Sequence, residues 1–260
     1  MHTDFSGDSN STPEEMIRGA IAKGLKTLCF TDHYDKDYFY TEREEIVDCE
    51  RYFGVLESLR EKYKEQIEVR IGIEIGLRPY LGEYYAEFVN SHPFDLVIGS
   101  LHVIQDNDLS EQVIFESHSD EDAYRIVLNE MLEDIRAVAD FDILGHIDYM
   151  VRYGQHRVRD YSYARFKEEI DAVLKYQIES GRGIEMNMSG FKYGLGFCHP
   201  HPDIIKRYRQ LGGEIITVGA DGHCPEHIAY DFDKAADILK ACGFKYYTEF
   251  KARKPIFKSL

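Results

Sequence analysis

The chain has 260 residues, with 31 Lys or Arg against 47 Asp or Glu, for a formal charge of -16. That balance opposes non-specific attraction to nucleic acid or to an anionic membrane, and it favours a small-molecule partner, an anionic one only where bound cations reverse the local field. Five cysteines without a CxxC pair argue against a disulfide framework, and an N-terminus without a basic-then-apolar segment, in a chain lacking an apolar run of membrane-spanning length, predicts a soluble cytoplasmic protein.

The first predicted helix runs from Pro13 to Leu25: Thr12 and Glu15 form a capping box, Pro13 takes the first helical position, and Ile17, Ala20, Ile21 and Leu25 share a face. A β-type run follows at Thr27 to Phe30, then a helical pattern from Arg43 to Lys64, then runs at Val69 to Ile73 and Leu96 to Gly99. Helix is expected from Asp120 to Ala139, strand from Phe141 to Leu144, helix from Ser162 to Ser180 and strand from Gly183 to Met186. The last elements are a helix from Pro202 to Leu211, a strand from Ile215 to Val218, a helix from Asp231 to Ala241 and a strand from Tyr246 to Phe250. This alternation predicts a parallel sheet with crossover helices, which an open doubly wound sheet and a closed barrel satisfy equally. No linker, low-complexity stretch or short repeat divides the chain, so a single domain over residues 1–260 is expected.

The polar residues at the strand ends favour the barrel, where the C-terminal ends of all strands face one mouth. The runs end in Thr31-Asp32-His33, in Glu74, in Ser100-Leu101-His102, in Gly145-His146, in Glu185-Met186-Asn187 and in Ala220-Asp221-Gly222-His223. Of eleven histidines, His33, His102, His146 and His223 all follow β-type runs directly. Glu74 interrupts an apolar run, and a carboxylate there is seldom buried without a partner or a metal. Imidazole and carboxylate together suit zinc, iron or manganese, and several of each suit metal-assisted hydrolysis of a phosphoryl group. His92, His118, His156 and His227 lack a strand-end context and read as surface histidines. His199 and His201, in Cys198-His199-Pro200-His201-Pro202, fit ligand spacing and a proline-rich helix entry about equally.

His2-Thr3-Asp4-Phe5-Ser6-Gly7-Asp8-Ser9, Thr31-Asp32-His33, Glu74, Gly99-Ser100-Leu101-His102, Gly145-His146-Ile147-Asp148-Tyr149 and Ala220-Asp221-Gly222-His223 resemble the ordered motifs of PHP-family phosphoesterases, along essentially the whole chain. Within that family, the length and Glu185-Met186-Asn187-Met188-Ser189-Gly190 resemble the monofunctional histidinol-phosphate phosphatases of histidine biosynthesis. The resemblance implies a distorted (β/α)7 TIM-like barrel and two or three divalent metal ions, zinc, iron or manganese. It implies His2, Glu74 and Asp221 around one ion, Glu74 bridging to a second held by His102 and His146, and Asp8, His33 and His223 around a third. The implied reaction converts L-histidinol phosphate to L-histidinol and phosphate as a metal-bridging hydroxide attacks phosphorus. Arg152, just beyond His146, fits a bidentate phosphate clamp as well as it fits a solvated surface arginine, and Lys192 is a weaker second donor. Another small phosphomonoester, a nucleotide end, or a degenerate metal-binding or regulatory role stay open as alternatives, and the residues set no oligomeric state. The family's first motif carries two histidines one residue apart at the end of its first strand. Here only the second, His2, is present, so either that strand and its histidine lie upstream of Met1, the favoured expectation, or the natural protein lacks them.

Overall fold

Helix α1 (Pro13–Ala22) starts where its sequence signals it: the Thr12 hydroxyl accepts the Glu15 N–H and the Glu15 carboxylate accepts the Thr12 N–H, while Met16, Ile17 and Ala20 are buried. The structure is a computed structural model that describes residues 1–39, 46–156, 159 and 161–260. After α1 come β1 (Thr27–Phe30), β2 (His33–Tyr34), α2 (Cys49–Tyr63), β3 (Glu68–Gly76), α3 (Gly82–Asn90) and β4 (Leu96–Ser100). A short hairpin of β5 (Val103–Ile104) and β6 (Asn107–Asp108) precedes α4 (Val113–Ser117), α5 (Asp120–Ala137), β7 (Ile143–Leu144) and α6 (Lys167–Glu179). The chain ends with β8 (Gly183–Asn187), α7 (Ser189–Lys192), α8 (Pro202–Gln210), β9 (Ile216–Gly219), α9 (Phe232–Ala241), β10 (Tyr246–Lys251) and β11 (Lys254–Ser259). The helix expected from Arg43 is seen as α2 from Cys49, and residues 43–45 lie outside the described residues.

The main sheet is parallel throughout, in the order β1-β3-β4-β7-β8-β9, with β2 also paired to β3. From Val69 to Gly76 every residue of β3 is buried, as expected of a parallel strand covered on both faces. The sheet curls into a distorted TIM-like barrel: Leu96, Ile98, Ile143 and Phe250 pack together as one small cluster, and a larger apolar cluster joins sheet and helices. Register sets the functional rim. His33 pairs with Glu74, Gly76 with Ser100, Gly99 with Leu144, and Asn187 with Gly219, so His102, His146 and Asp221 all emerge at the same end of the sheet as Glu74.

Among the elements that differ from expectation, two shape the frame of the sheet and its helices. The run from Tyr246 to Phe250 is not a parallel stave. It forms an antiparallel hairpin with β11, turning at Ala252 and Arg253, whose φ of 48° and 60° match the two-residue turn that suits strand twist. This hairpin lies against the strand starts: Thr248 accepts the Ile216 N–H, Phe250 O accepts from Arg70, and the Arg253 N–H donates to Asp95 O. The second is α3, an amphipathic helix that buries Tyr85 and Val89 without any side-chain cap at its start.

Among the described residues, the end strands of the sheet, β1 and β9, do not pair with each other and leave a seam. Met1 and His2 bridge this seam at the rim: Met1 O accepts the Thr31 N–H at 2.9 Å and the His2 N–H donates to Gly222 O at 2.9 Å. Below them lies a cavity of about 520 Å3 lined by Cys29, Leu96, Val218, Phe232, Leu239 and Phe250. Among the described residues, no helix is long and apolar enough to cross a membrane.

Candidate metal centre

At the rim, Glu74 is the hub. One carboxylate oxygen lies 3.4 Å from His2 Nε2, and the other lies 3.3 Å from both His102 Nε2 and His146 Nε2. His2 Nε2 is also 3.5 Å from Asp221 Oδ1. Asp8 Oδ2 stands 2.8 Å from His223 Nε2 and 3.8 Å from His33 Nε2, and the His2 ring stacks between those of His33 and His223 at 4.2 Å from each. The structure thus brings together all eight residues singled out as ligands. Among the described residues, three groups have ligand atoms close enough to hold an ion: His2, His33 and His223; His33, Asp35 and His102; and Glu74, His102 and His146.

The separations bear on whether cations fit. Charge-assisted N–H···O bonds settle at about 2.7–2.9 Å, whereas the pairs around Glu74 stand at 3.3 to 3.4 Å although Glu74 is buried. Two ligand atoms each about 2.0–2.1 Å from a tetrahedral ion lie about 3.3 Å apart. These pairs are stretched for hydrogen bonds and well spaced as edges of a coordination shell, so the residues fit divalent metal.

The outer nitrogens are held from behind. His102 Nδ1 is 2.6 Å from Asp35 Oδ2, His223 Nδ1 faces Asp221 O at 3.2 Å, and His2 Nδ1 faces the Ser6 hydroxyl at 3.4 Å. Ser6 donates to Asp32 Oδ1, which also accepts from the Thr3 N–H and hydroxyl, so Asp32 organises the loop that carries His2. Such partners fix which nitrogen faces the site. Asp35→Ala is therefore expected to weaken metal binding about 10- to 100-fold, read by competition with a chromogenic chelator; an unchanged affinity contradicts the role of this carboxylate.

Electrostatics within the cluster follow the same geometry. Burial works against charge on His2, yet hydrogen bonds to Asp221 and then Glu74 outweigh it and raise its pKa to about 10. Burial likewise opposes ionisation of Glu74, but hydrogen bonds from His102, His146 and His2 hold it well below the usual range. Burial and then the charge on His2 depress His33 to about 4, leaving it a neutral donor. Burial pushes Glu185 up. This strand-end carboxylate accepts the His146 N–H and the Asn187 amide from beneath the rim. A Cβ at Gly219 would collide with it, so close approach requires glycine there.

Arg152 is buried at the rim with its guanidinium 3.7 Å from the Tyr193 ring centroid and 4.6 Å from that of Tyr149. It donates to the Ser189 hydroxyl and lines a cavity of about 280 Å3 above the histidines. Lys192 is not part of that lining. Its ammonium donates to Asp221 O at 3.1 Å, behind the site. His199 is fully buried with Nδ1 2.5 Å from Asp148 Oδ1, and His201 donates its N–H to the same carboxylate, so the proline-rich helix entry explains them and neither joins the ligand groups. His118 and His156 are exposed, His92 is half-buried away from the cluster, and His227 is half-buried behind it with Nδ1 3.4 Å from the Lys192 ammonium. Asp35 was missed in the sequence, although its two-residue spacing from His33 places it on the same face of an extended segment.

Known proteins resemble this chain over most of its length. The PHP domain model matches residues 1–189. A histidinol-phosphatase of Lactococcus lactis subsp. lactis is 28% identical over 254 residues, spanning 97% of this chain and 93% of that protein. A "probable histidinol-phosphatase" of Clostridium acetobutylicum is 30% identical over 94% of this chain and 93% of its own length. Among solved structures, the L. lactis histidinol phosphate phosphatase complexed with zinc, L-histidinol and phosphate matches with a TM-score of 0.89 at 27% identity, covering 98% of this chain and 97% of that one. A Listeria monocytogenes structure, 18% identical with a TM-score of 0.77 over 90% of this chain and 97% of that one, shares the fold.

Proposed function

The chain belongs to the PHP-domain family, and from that premise we propose that it is a metal-dependent phosphomonoesterase that hydrolyses L-histidinol phosphate to L-histidinol and phosphate. The observation that carries this reading is the sharing of Glu74 between two sets of imidazoles at metal-ligand spacing. His2, Glu74 and Asp221 hold one ion, Glu74, His102 and His146 a second, and Asp8, His33 and His223 a third. Zinc is the first choice because the similar L. lactis structure contains it, with iron and manganese also suited to the ligands. When bound, such ions supply a water acidic enough to ionise near neutrality and positive charge against the phosphoryl oxygens. Arg152 orients the phosphate through its fork, and the tyrosines at its faces hold that fork in place. The whole chain acts as one cytoplasmic phosphoesterase domain on a small phosphorylated substrate, without nucleic-acid or membrane partners, a reading supported by its free cysteines and acidic charge.

The test is an assay of metal-loaded protein on L-histidinol phosphate, a panel of other phosphomonoesters and single-stranded DNA. Preferential turnover of L-histidinol phosphate is expected; no preference for it removes the substrate assignment.

Metal uptake by the stripped protein has a definite pH dependence. With its pKa raised from 6.5 to about 10, His2 carries a proton at neutral pH that an ion at Nε2 must displace. Apparent affinity is therefore expected to climb as pH rises from 6.5 toward 10, with proton release visible by calorimetry in buffers of different ionisation enthalpy. The same shift stabilises the metal-free fold fully below 6.5 and ceases to do so as pH passes about 10. An affinity that is flat across this window contradicts the protonated state of His2.

A further inference from the structure

The cavity above the histidines contains a negative charge that phosphate binding does not explain. Asp108, on β6, is buried in its wall. The hairpin after β4 places it there: Val103 pairs with Asp108 and the Leu109 N–H donates to His102 O, so Asp108 stands beside the backbone of a residue assigned to the metal centre. The turn is held in a demanding shape. Gln105 and Asp106 both have positive φ, at 47° and 59°, and are fixed by Glu130 accepting the Gln105 N–H and Arg78 pairing with Asp106 at 2.8 Å. Both carboxylate oxygens of Asp108 accept: one takes the Ser110 N–H at 2.5 Å, the other the hydroxyl of Tyr38, which comes from the loop after β2.

A carboxylate in the wall of a phosphoryl site repels an ordinary dianionic ester. It becomes favourable only when the alcohol half of the substrate is cationic. We infer that Asp108 receives the ammonium group of the substrate and makes the site selective for phosphomonoesters of amino alcohols, with Tyr38 holding the carboxylate in position. This rests on the hydrolase reading above and specifies which part of the substrate is recognised. The bland explanation is that Asp108 only caps the 3-10 turn Leu109–Glu111. Asp108→Asn separates the two, because Asn caps as well as Asp but has no charge.

The experiment compares L-histidinol phosphate with its des-amino counterpart, 3-(imidazol-4-yl)propyl phosphate, in the metal-loaded wild type and in Asp108→Asn. The wild type is expected to prefer the amine ester by about 10- to 100-fold in kcat/KM, the size of a hydrogen bond to a charged group. In Asp108→Asn that preference should collapse, through a higher KM for the amine ester, while the des-amino ester, relieved of the repulsion, is turned over at least as well as by the wild type and so reports an intact fold. A preference that survives the substitution, or an equal loss on both esters, overturns the assignment, as does a wild type without preference for the amine. If wild type turns over L-histidinol phosphate no better than unrelated esters, the substrate reading falls. The same comparison on ethanolamine phosphate against ethyl phosphate then decides the role of Asp108.

Discussion

Glu74→Gln is expected to lower kcat/KM on L-histidinol phosphate by at least about 10^3-fold, a loss of about 4 kcal/mol in transition-state stabilisation. Glutamine has the shape of glutamate but only one acceptor oxygen and no charge, so it cannot face His2 on one side and His102 and His146 on the other as the carboxylate does. The two ion sites that share Glu74 should fail together. Elemental analysis of the purified variant should show fewer ions per chain, with the far-ultraviolet circular dichroism of the wild type retained. A variant with its full metal complement and activity within tenfold of wild type, about 1.4 kcal/mol, would remove Glu74 from the centre of the mechanism.

The second large effect belongs to Arg152. Arg152→Lys keeps the positive charge but loses the planar fork, and an ammonium stacks less well between Tyr149 and Tyr193. A fall of about 10^2-fold in kcat/KM is expected, the usual result of removing one preorganised donor from developing charge. Inhibition by inorganic phosphate should weaken in parallel while metal content stays the same. If activity falls by less than about threefold, under 1 kcal/mol, the guanidinium is a wall of the cavity and not a clamp.

Much of this centre was legible in the sequence because a parallel barrel turns a one-dimensional rule into a three-dimensional one. Side chains that follow strands meet at one rim, so His33, Glu74, His102, His146, Asp221 and His223 declare their proximity by position alone. Asp35 and Ser6 escaped because they act on the far nitrogens of histidines, and that contact is made by loops, whose course is not periodic. Asp108 escaped because its hairpin turns on Gln105 and Asp106, with neither Gly nor Asn to announce it. A turn at Ala252 and Arg253, without Gly, Asn or Asp, concealed the β10–β11 hairpin and made Tyr246 to Phe250 look like another stave. Helix α3 lacked a cap to mark its start. His199 shows the opposite limit: its spacing suited a ligand, and only burial against Asp148 shows where its nitrogen is spent.

The two strand ends that flank Met1 and His2, those of β1 and β9, bear on how the rim is held together. His33 lies just past the end of one lip, Asp221 and His223 just past the end of the other, and His2 stacks between His33 and His223. Ions held by the proposed ligand set would tie these two strand ends to each other, so their binding free energy would also be free energy of the folded rim. A ligand at about 100 times its Kd adds about 2.7 kcal/mol to the state that binds it. On that assignment, the rim is expected to become more labile as free divalent ion is withdrawn.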